Sequence, residues 1–171
     1  FRDSTTGAIT REIEPSSSRV WHLDFSPDGT WIAVSGEIPY LLPLDDPEGE
    51  PIELPIPVND FGGIPWTPAI TYSPDGQSVA TASYDGMARI WDADSGELLA
   101  VLHSEASPRS EGQPSGDGIA FSPDGRLIAF GACYVGDGSA ASACFHERIY
   151  VYEVSTALAR RTCLRRGTEY F

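Results

Sequence analysis

Short apolar runs separated by turn residues recur along the chain. Three of these runs, at residues 31–34, 78–81 and 127–130, each follow the tetrapeptide Ser-Pro-Asp-Gly. Each tetrapeptide is itself preceded by an aromatic residue, namely Phe25, Tyr72 or Phe121. Proline presets φ for the second turn position, and glycine supplies the positive φ that closes a tight turn. The pattern therefore predicts three β-hairpins.

The hairpins belong to a larger repeat. The tetrapeptides begin at residues 26, 73 and 122, which places them 47 and then 49 residues apart. A second turn follows in the first two units, since Gly49 and Gly96 each lie 20 residues after the glycine of the preceding tetrapeptide. In the third unit the corresponding turn is displaced by 12 extra residues. Each unit therefore reads as four short strands, and no long helical period precedes the C-terminal segment.

Composition narrows the class of protein. The 171 residues carry a net charge of −14, and all 11 basic residues are arginines. Such an acidic chain is a poor ligand for nucleic acid or anionic lipid, which need a positive face. The hydrophobic content of 41% supports a packed core, whereas the apolar runs are too short to cross a bilayer. We therefore expect a folded domain with no nucleic-acid partner and no membrane insertion.

The repeated residues are similar to the WD-repeat β-propeller family, particularly its bacterial members. The resemblance is carried by Phe-Ser-Pro-Asp-Gly, by residues 83–86 (Ser-Tyr-Asp-Gly) and by residues 89–92 (Arg-Ile-Trp-Asp), and it covers roughly residues 1–156. It implies an all-β fold of four-stranded antiparallel blades that are apolar on both faces. The Trp-Asp pair is replaced by Leu44-Asp45 in the first unit and by Tyr152-Glu153 in the third.

The repeat divides the chain into blades. We expect the outer strand of a preceding blade at residues 1–15 and blades at residues 16–57, 58–104 and 105–163. The last blade carries an insertion at 134–145, and a tail follows at 164–171. Three units cannot close a ring, because propellers have typically about four to eight blades. The expectation is an incomplete propeller, either a part of a longer one or one completed by further copies.

The resemblance also implies a buried hydrogen-bond network. Family members often join a serine, an aspartate, the tryptophan and a histidine, and Ser83, Asp85 and Trp91 match three of these positions. No histidine precedes the first strand of the second unit. Ile38 and His146 stand where the first and third units would have the aspartate.

Two cysteines flank the insertion of the third unit. Cys133 and Cys144 bracket a glycine-rich segment typical of a hairpin tip, so their side chains can meet across the two strands. A disulfide would indicate an oxidising compartment, whereas two reduced thiols would fit the cytoplasm. Both readings stay open, and localisation depends on them. Cys163 is left over in either case.

The sequence offers no catalytic, cofactor or metal site. It lacks a Gly-x-Ser-x-Gly elbow and a glycine-rich phosphate loop before a helix. His22, His103 and His146 lie in three different units, and no cysteine pair has zinc-knuckle spacing. We therefore predict that the chain is not an enzyme and takes no cofactor.

Binding to a partner is a more plausible function for this chain than catalysis. The resemblance implies that partners dock on the rim formed by the loops before the first strand and between the second and third strands. In this chain that rim contains Arg19, Trp21, Trp66 and Tyr84, residue types that dominate binding energy at interfaces. Alternatively, Trp21 and Trp66 are core residues between blades. Four arginines at 160, 161, 165 and 166 offer a second charged contact near the C-terminus.

The predicted function is a non-catalytic scaffold or recognition module for another protein or for further blades. Two alternatives remain beside it. One is an extracytoplasmic propeller of the cell envelope with the Cys133–Cys144 disulfide. The other is the accessory propeller of a larger enzyme or signalling ATPase.

Overall fold

The computed structural model describes residues 19–46, 49–57, 66–103, 118–134, 146–155 and 158. These residues form eleven β-strands. In chain order they are β1 (Val20–Phe25), β2 (Trp31–Gly36), β3 (Tyr40–Pro43), β4 (Ile52–Glu53), β5 (Ala69–Tyr72), β6 (Ser78–Ala82), β7 (Met87–Asp92), β8 (Leu98–His103), β9 (Ile119–Phe121), β10 (Leu127–Tyr134) and β11 (His146–Glu153).

The Ser-Pro-Asp-Gly segments form the tight turns between the first two strands of each sheet. Their glycines have φ values of 75°, 73° and 69°, a region that only glycine adopts at little cost. In each turn the serine hydroxyl donates to the aspartate Oδ1 at 2.6 Å, and the glycine N–H donates to the serine carbonyl. The turn chemistry is therefore local and identical in the three copies.

The strands form three antiparallel sheets in simple sequential order, which confirms the predicted all-β fold. Blade one contains β1–β4, blade two contains β5–β8 and blade three contains β9–β11. Blade three thus has three strands within the described residues, where the sequence predicts four. The connection between β10 and β11 coincides with the predicted insertion, and the two strands pair as far as Tyr134 and His146.

Each blade packs face to face on its neighbour. Blade two directs Ile70, Val79 and Trp91 toward blade one, where they share a core with Ala33 and Leu41. Its opposite face shares a second core with blade three. We call the face of a blade directed toward lower residue numbers its leading face and the opposite one its trailing face. Because both faces of blade two are covered, its strands are apolar throughout.

Polar contacts also join blade one to blade two. The Asp24 carboxylate accepts hydrogen bonds from the Tyr72 amide at 2.8 Å and from the Thr71 hydroxyl at 3.0 Å. The Nδ1 of His22 lies 2.9 Å from the Ile70 carbonyl, which can only accept, so Nδ1 carries the proton. The inner strands β1 and β5 are therefore fixed side by side by their side chains.

Among the described residues, the structure contains no helix with the length and apolar character needed to span a bilayer.

Candidate functional site

The four residues predicted for the rim lie together at one end of blades one and two. Arg19 precedes β1, Trp21 is its second residue, Trp66 precedes β5, and Tyr84 lies in the turn between β6 and β7. The ring centroids of Trp21 and Trp66 are 5.3 Å apart, and Tyr84 lies 6.1 Å from the first and 6.3 Å from the second. Three segments that are distant in sequence thus build one cluster, which we call the aromatic patch.

A cation belongs to the same patch. The Arg19 guanidinium carbon lies 5.9 Å from the centroid of the Trp66 ring, within the range of a cation–π interaction. Both aromatic rings of the Trp21–Trp66 pair meet edge to face, at an interplanar angle of 60°. This is the arrangement that the quadrupoles of aromatic rings favour. The patch is therefore preformed, with one positive charge at its margin.

Backbone hydrogen bonds hold the segments that carry the patch. The Tyr84 amide donates to the Trp66 carbonyl at 2.9 Å, and the Thr67 amide donates to the Gly36 carbonyl of blade one at 3.1 Å. The Thr67 and Ser83 hydroxyls lie 3.3 Å apart in a buried contact. The loop before β5 is thus fixed both to its own blade and to blade one.

The patch is only partly buried. Trp66 keeps 37% of its surface exposed, whereas Trp21 and Tyr84 are half-buried. Of the two interpretations for Trp66, surface residue or core residue, the structure favours the surface. Such rings combine a rigid apolar area with a small loss of side-chain entropy on binding.

An ion pair adjoins the turn that carries Tyr84 of the patch. Arg89 on β7 is 4% exposed, and its guanidinium binds the Asp85 carboxylate and donates to the Ser83 hydroxyl at 3.3 Å. Asp85 also accepts the Met87 amide at 3.0 Å, which fixes the turn. Within the described residues, Arg89 Nε is buried without a hydrogen-bond partner. Within the part of the chain that the structure describes, Asp85 is the carboxylate that pairs with this buried guanidinium.

The network predicted from the resemblance is divided into two parts. Ser83 and Asp85 meet through Arg89, as described above. The Trp91 indole N–H instead donates to the Thr81 hydroxyl at 2.9 Å, deeper on the same leading face of blade two. Sequence reasoning missed Thr81 and Arg89, although alternation along β6 places Thr81 and Ser83 on one face and offers two hydroxyls to the tryptophan.

The opposite rim carries an acidic groove of about 220 Å³ between the hairpin turns of blades one and two. Its carboxylates come from Asp28, Asp75 and Asp94. Hydrogen bonds from Ser26 and Thr30 lower the pKa of Asp28, and those from Ser73 and Gln77 lower that of Asp75. Burial raises the pKa of the nearby Tyr72 phenol, and the surrounding carboxylates add to the effect. Two of the three carboxylates thus already serve the turns as acceptors.

The remaining candidates form no further site within the described residues. No group of three or more histidine, cysteine or acidic side chains in the described segments is arranged to hold a metal ion. The His22 ring is occupied by the contact with blade two. The backbone of Cys133 in β10 pairs with Glu147 in β11. Cys144, Cys163 and the four C-terminal arginines lie outside the described residues. The disulfide therefore stays a prediction.

A comparison with models of protein families matches two segments of the repeated sequence. The family model described as "WD domain, G-beta repeat" matches residues 7–37 and 68–92, which include the aromatic patch residues Arg19, Trp21 and Tyr84. The two matched segments together make up about a third of the chain, and in them the chain is similar to WD repeats.

Curated relatives from plants and animals match parts of the chain. The guanine nucleotide-binding protein subunit beta of Oryza sativa subsp. indica is 37% identical over 73 residues, 40% of this chain and 19% of that protein. WD repeat-containing protein VIP3 of Arabidopsis thaliana is 27% identical over 115 residues, 62% of this chain and 36% of that protein. Actin-interacting protein 1 of Drosophila melanogaster is 30% identical over 103 residues, 60% and 16% of the two chains. The chain thus spans between about a sixth and about a third of the length of these relatives.

Proposed function

We propose that this chain of WD repeats is a non-catalytic scaffold that binds another protein through the aromatic patch. The observation that carries the proposal is the meeting of Arg19, Trp21, Trp66 and Tyr84 from three separate segments of two blades. Tryptophan, tyrosine and arginine are the residue types most enriched among those that dominate the free energy of protein binding.

The surroundings of the patch support the same role. The patch is held by main-chain hydrogen bonds and by the buried contact between Thr67 and Ser83, so binding would order few side chains. The net charge of −14 disfavours nucleic acid and anionic membranes as partners, which supports a protein partner.

The relatives point in the same direction by their names. One is a subunit of a guanine nucleotide-binding protein, and another is an actin-interacting protein. We carry over only the general role of binding a protein, not the partner, because the matched segments cover small parts of those relatives.

Site-specific cross-linking tests the proposal. A photoreactive phenylalanine analogue replaces Tyr84 in one version of the chain and Gln77, an exposed residue of the opposite rim, in another. In cells of the source organism we expect a discrete protein adduct from position 84. Adducts from position 77 alone, or equal adducts from both, would contradict docking on the patch.

We further propose that the chain is of the bacterial type and that the state of its cysteines indicates its compartment. Titration of thiols in the denatured, unreduced protein decides between the two states of Cys133 and Cys144. One free thiol would indicate the disulfide and an oxidising compartment, whereas three free thiols would exclude it.

A further inference from the structure

The acidic groove on the opposite rim contains a buried hydroxyl that the fold does not use. Tyr72 lines the groove and is 7% exposed. Its amide donates to Asp24 and its carbonyl accepts from the Thr71 hydroxyl, but its phenol makes no hydrogen bond within the described residues. Because a buried polar group without a partner costs free energy, this hydroxyl calls for a ligand that satisfies it.

The repeat shows that the hydroxyl is not needed for folding. The last residue of the first strand of each sheet is Phe25 in blade one, Tyr72 in blade two and Phe121 in blade three. The turn that follows has the same hydrogen bonds between serine, aspartate and glycine in all three copies. The phenol therefore adds a polar atom to this groove that the turn itself does not require.

Negative charge surrounds the hydroxyl. Asp28 comes from blade one, whereas Asp75 and Asp94 come from two turns of blade two. Burial and the neighbouring carboxylates, Asp28 first among them, raise the pKa of Tyr72, so the phenol stays protonated at neutral pH. Among the described residues that line the groove, none is basic. The groove thus combines three carboxylates with a neutral hydroxyl and lacks a counter-charge of its own.

Some of these acceptor atoms are available to a ligand. The Ser73 hydroxyl and the Gln77 amide both donate to Oδ1 of Asp75, so its Oδ2 has no hydrogen bond in the described part of the chain. The exposed Asp94 carboxylate accepts none there either. The Trp31 side chain lines the same groove and supplies an aromatic wall.

The size of the groove and its acceptors restrict the ligand. Its volume of about 220 Å³ is several times the roughly 30 Å³ that one water takes in the liquid. It is below the roughly 300 Å³ at which pockets for drug-sized ligands begin. A guanidinium group is planar, permanently charged and weakly hydrated, donates several N–H groups to carboxylates and stacks on aromatic rings. It therefore matches both the charge and the wall of the groove.

We propose that the groove binds a small molecule that carries a guanidinium group. The cation lies between Asp28 of blade one and the two carboxylates of blade two. Its N–H groups donate to Asp75 Oδ2, to the Asp94 carboxylate and to the Tyr72 hydroxyl oxygen, and its plane faces Trp31. The site lies on the rim opposite the aromatic patch and is independent of the proposed scaffold role.

Isothermal titration of the chain with propylguanidinium at low salt tests the proposal. We expect a dissociation constant of about 1 mM or below. Binding should weaken in roughly 0.5 M NaCl, because salt screens the carboxylates. Propylurea has nearly the same shape without the charge and should not bind. Absence of binding by propylguanidinium, or equal binding of the two compounds, would overturn the proposal.

Tyr72→Phe tests the phenol with a residue that the other two blades already carry at this position. It should raise the dissociation constant of propylguanidinium about 10-fold, since a hydrogen bond to a charged group is lost. The Tm should stay unchanged or rise, because the hydroxyl has no partner in the fold. A lowered Tm with unchanged affinity would show a structural hydroxyl and overturn the proposal.

Asp94→Asn tests the carboxylates at a residue whose side chain serves no turn. The dissociation constant should rise about threefold or more. Asp45→Asn is the matched control: it makes the same change in net charge at an exposed aspartate between β3 and β4, outside the groove, and should have no effect. Equal effects of the two substitutions would overturn the proposal, since binding would then depend on overall charge.

The photoreactive residue at position 77 identifies the source of the guanidinium group. Gln77 lines the groove, so an arginine side chain of another protein would give a protein adduct from this position. We expect no such adduct, because the ligand is a small molecule. A protein adduct from position 77 that excess propylguanidinium abolishes would overturn the small-molecule ligand. It would leave the adduct from position 84, and with it docking on the aromatic patch, unaffected.

Discussion

At the scale of single residues, Gly96 allows the turn between β7 and β8 to approach blade one closely. Gly96 has φ of +70°, and a Cβ atom there would lie 2.6 Å from Ile52 Cγ2 and 3.0 Å from the Glu53 carbonyl oxygen of blade one. Gly29 has φ of +75° but would meet nothing within 4 Å. The two positions share the backbone conformation and differ only in the space around it.

Alanine substitution at the two glycines separates backbone strain from crowding. Gly29→Ala should lower the free energy of unfolding by about 1 kcal/mol, because an L residue is strained at positive φ. Gly96→Ala should lower it by about 3 kcal/mol, since a clash between blades adds to the strain. Urea unfolding followed by fluorescence measures both. Equal losses would contradict the close approach of β4 to the turn at Gly96.

The serine of each hairpin turn also affects how the stability of the fold depends on pH. The Ser73 hydroxyl and the Gln77 amide lower the pKa of Asp75 from its ordinary value of 3.8. Below this value the unfolded chain takes up a proton that the folded chain resists, so stability falls with pH until Asp75 is protonated in the folded state as well.

Replacing the serine should remove part of that dependence. In Ser73→Ala the pKa of Asp75 rises toward the ordinary value, and the variant is less stable than the wild type at neutral pH. The difference should shrink as the pH falls below 3.8. The midpoint of urea unfolding as a function of pH measures it. A difference that stays constant through the acid range would refute the role of the Ser73–Asp75 hydrogen bond.

At the scale of elements, the Arg89–Asp85 ion pair fixes the turn between β6 and β7. Arg89 is 4% exposed and depends on Asp85 for its counter-charge. Asp85→Ala would leave a buried guanidinium unpaired and should lower the free energy of unfolding by about 3 kcal/mol. The double change Asp85→Ala with Arg89→Met should recover most of the loss, because it removes the buried charge. If the double variant is as unstable as Asp85→Ala, the buried charge is not the cause.

The sequence predicts the elements better than their side-chain contacts. Turn chemistry is local, so Ser-Pro-Asp-Gly suffices to place three hairpins and the strands beside them. The partner of Trp91 is not local: it depends on the register of β6 and β7, in which Val79 lies opposite Trp91 and Thr81 lies two residues further along the same face. Thr81 and Ser83 both offer a hydroxyl to the Trp91 indole, and the strand register places the Thr81 hydroxyl within hydrogen-bond distance. The sequence does not predict the ion pair of Arg89, because nothing in it marks this arginine as buried.

At the scale of the whole molecule, equivalent residues lie in unequal surroundings. The repeat gives each blade the same two faces, yet Ile70 and Ile90 in the middle blade are buried while Leu23 and Val151 on the outer faces are exposed. The periodicity predicts the blades and their faces. Exposure therefore differs between equivalent residues, and it also differs within one outer face, where Ile32, Val34 and Tyr40 of blade one are buried.

The affinity of the protein captured at Tyr84 tests the central claim, docking on the aromatic patch, most directly. Isothermal titration of that purified protein compares the wild-type chain with Trp66→Ala and with the opposite-rim control Gln77→Ala. We expect Trp66→Ala to raise the dissociation constant by about 10-fold or more, as truncation of a dominant interface tryptophan does, while Gln77→Ala leaves it unchanged. Equal affinity for the wild type and Trp66→Ala, with both chains folded, would contradict the account.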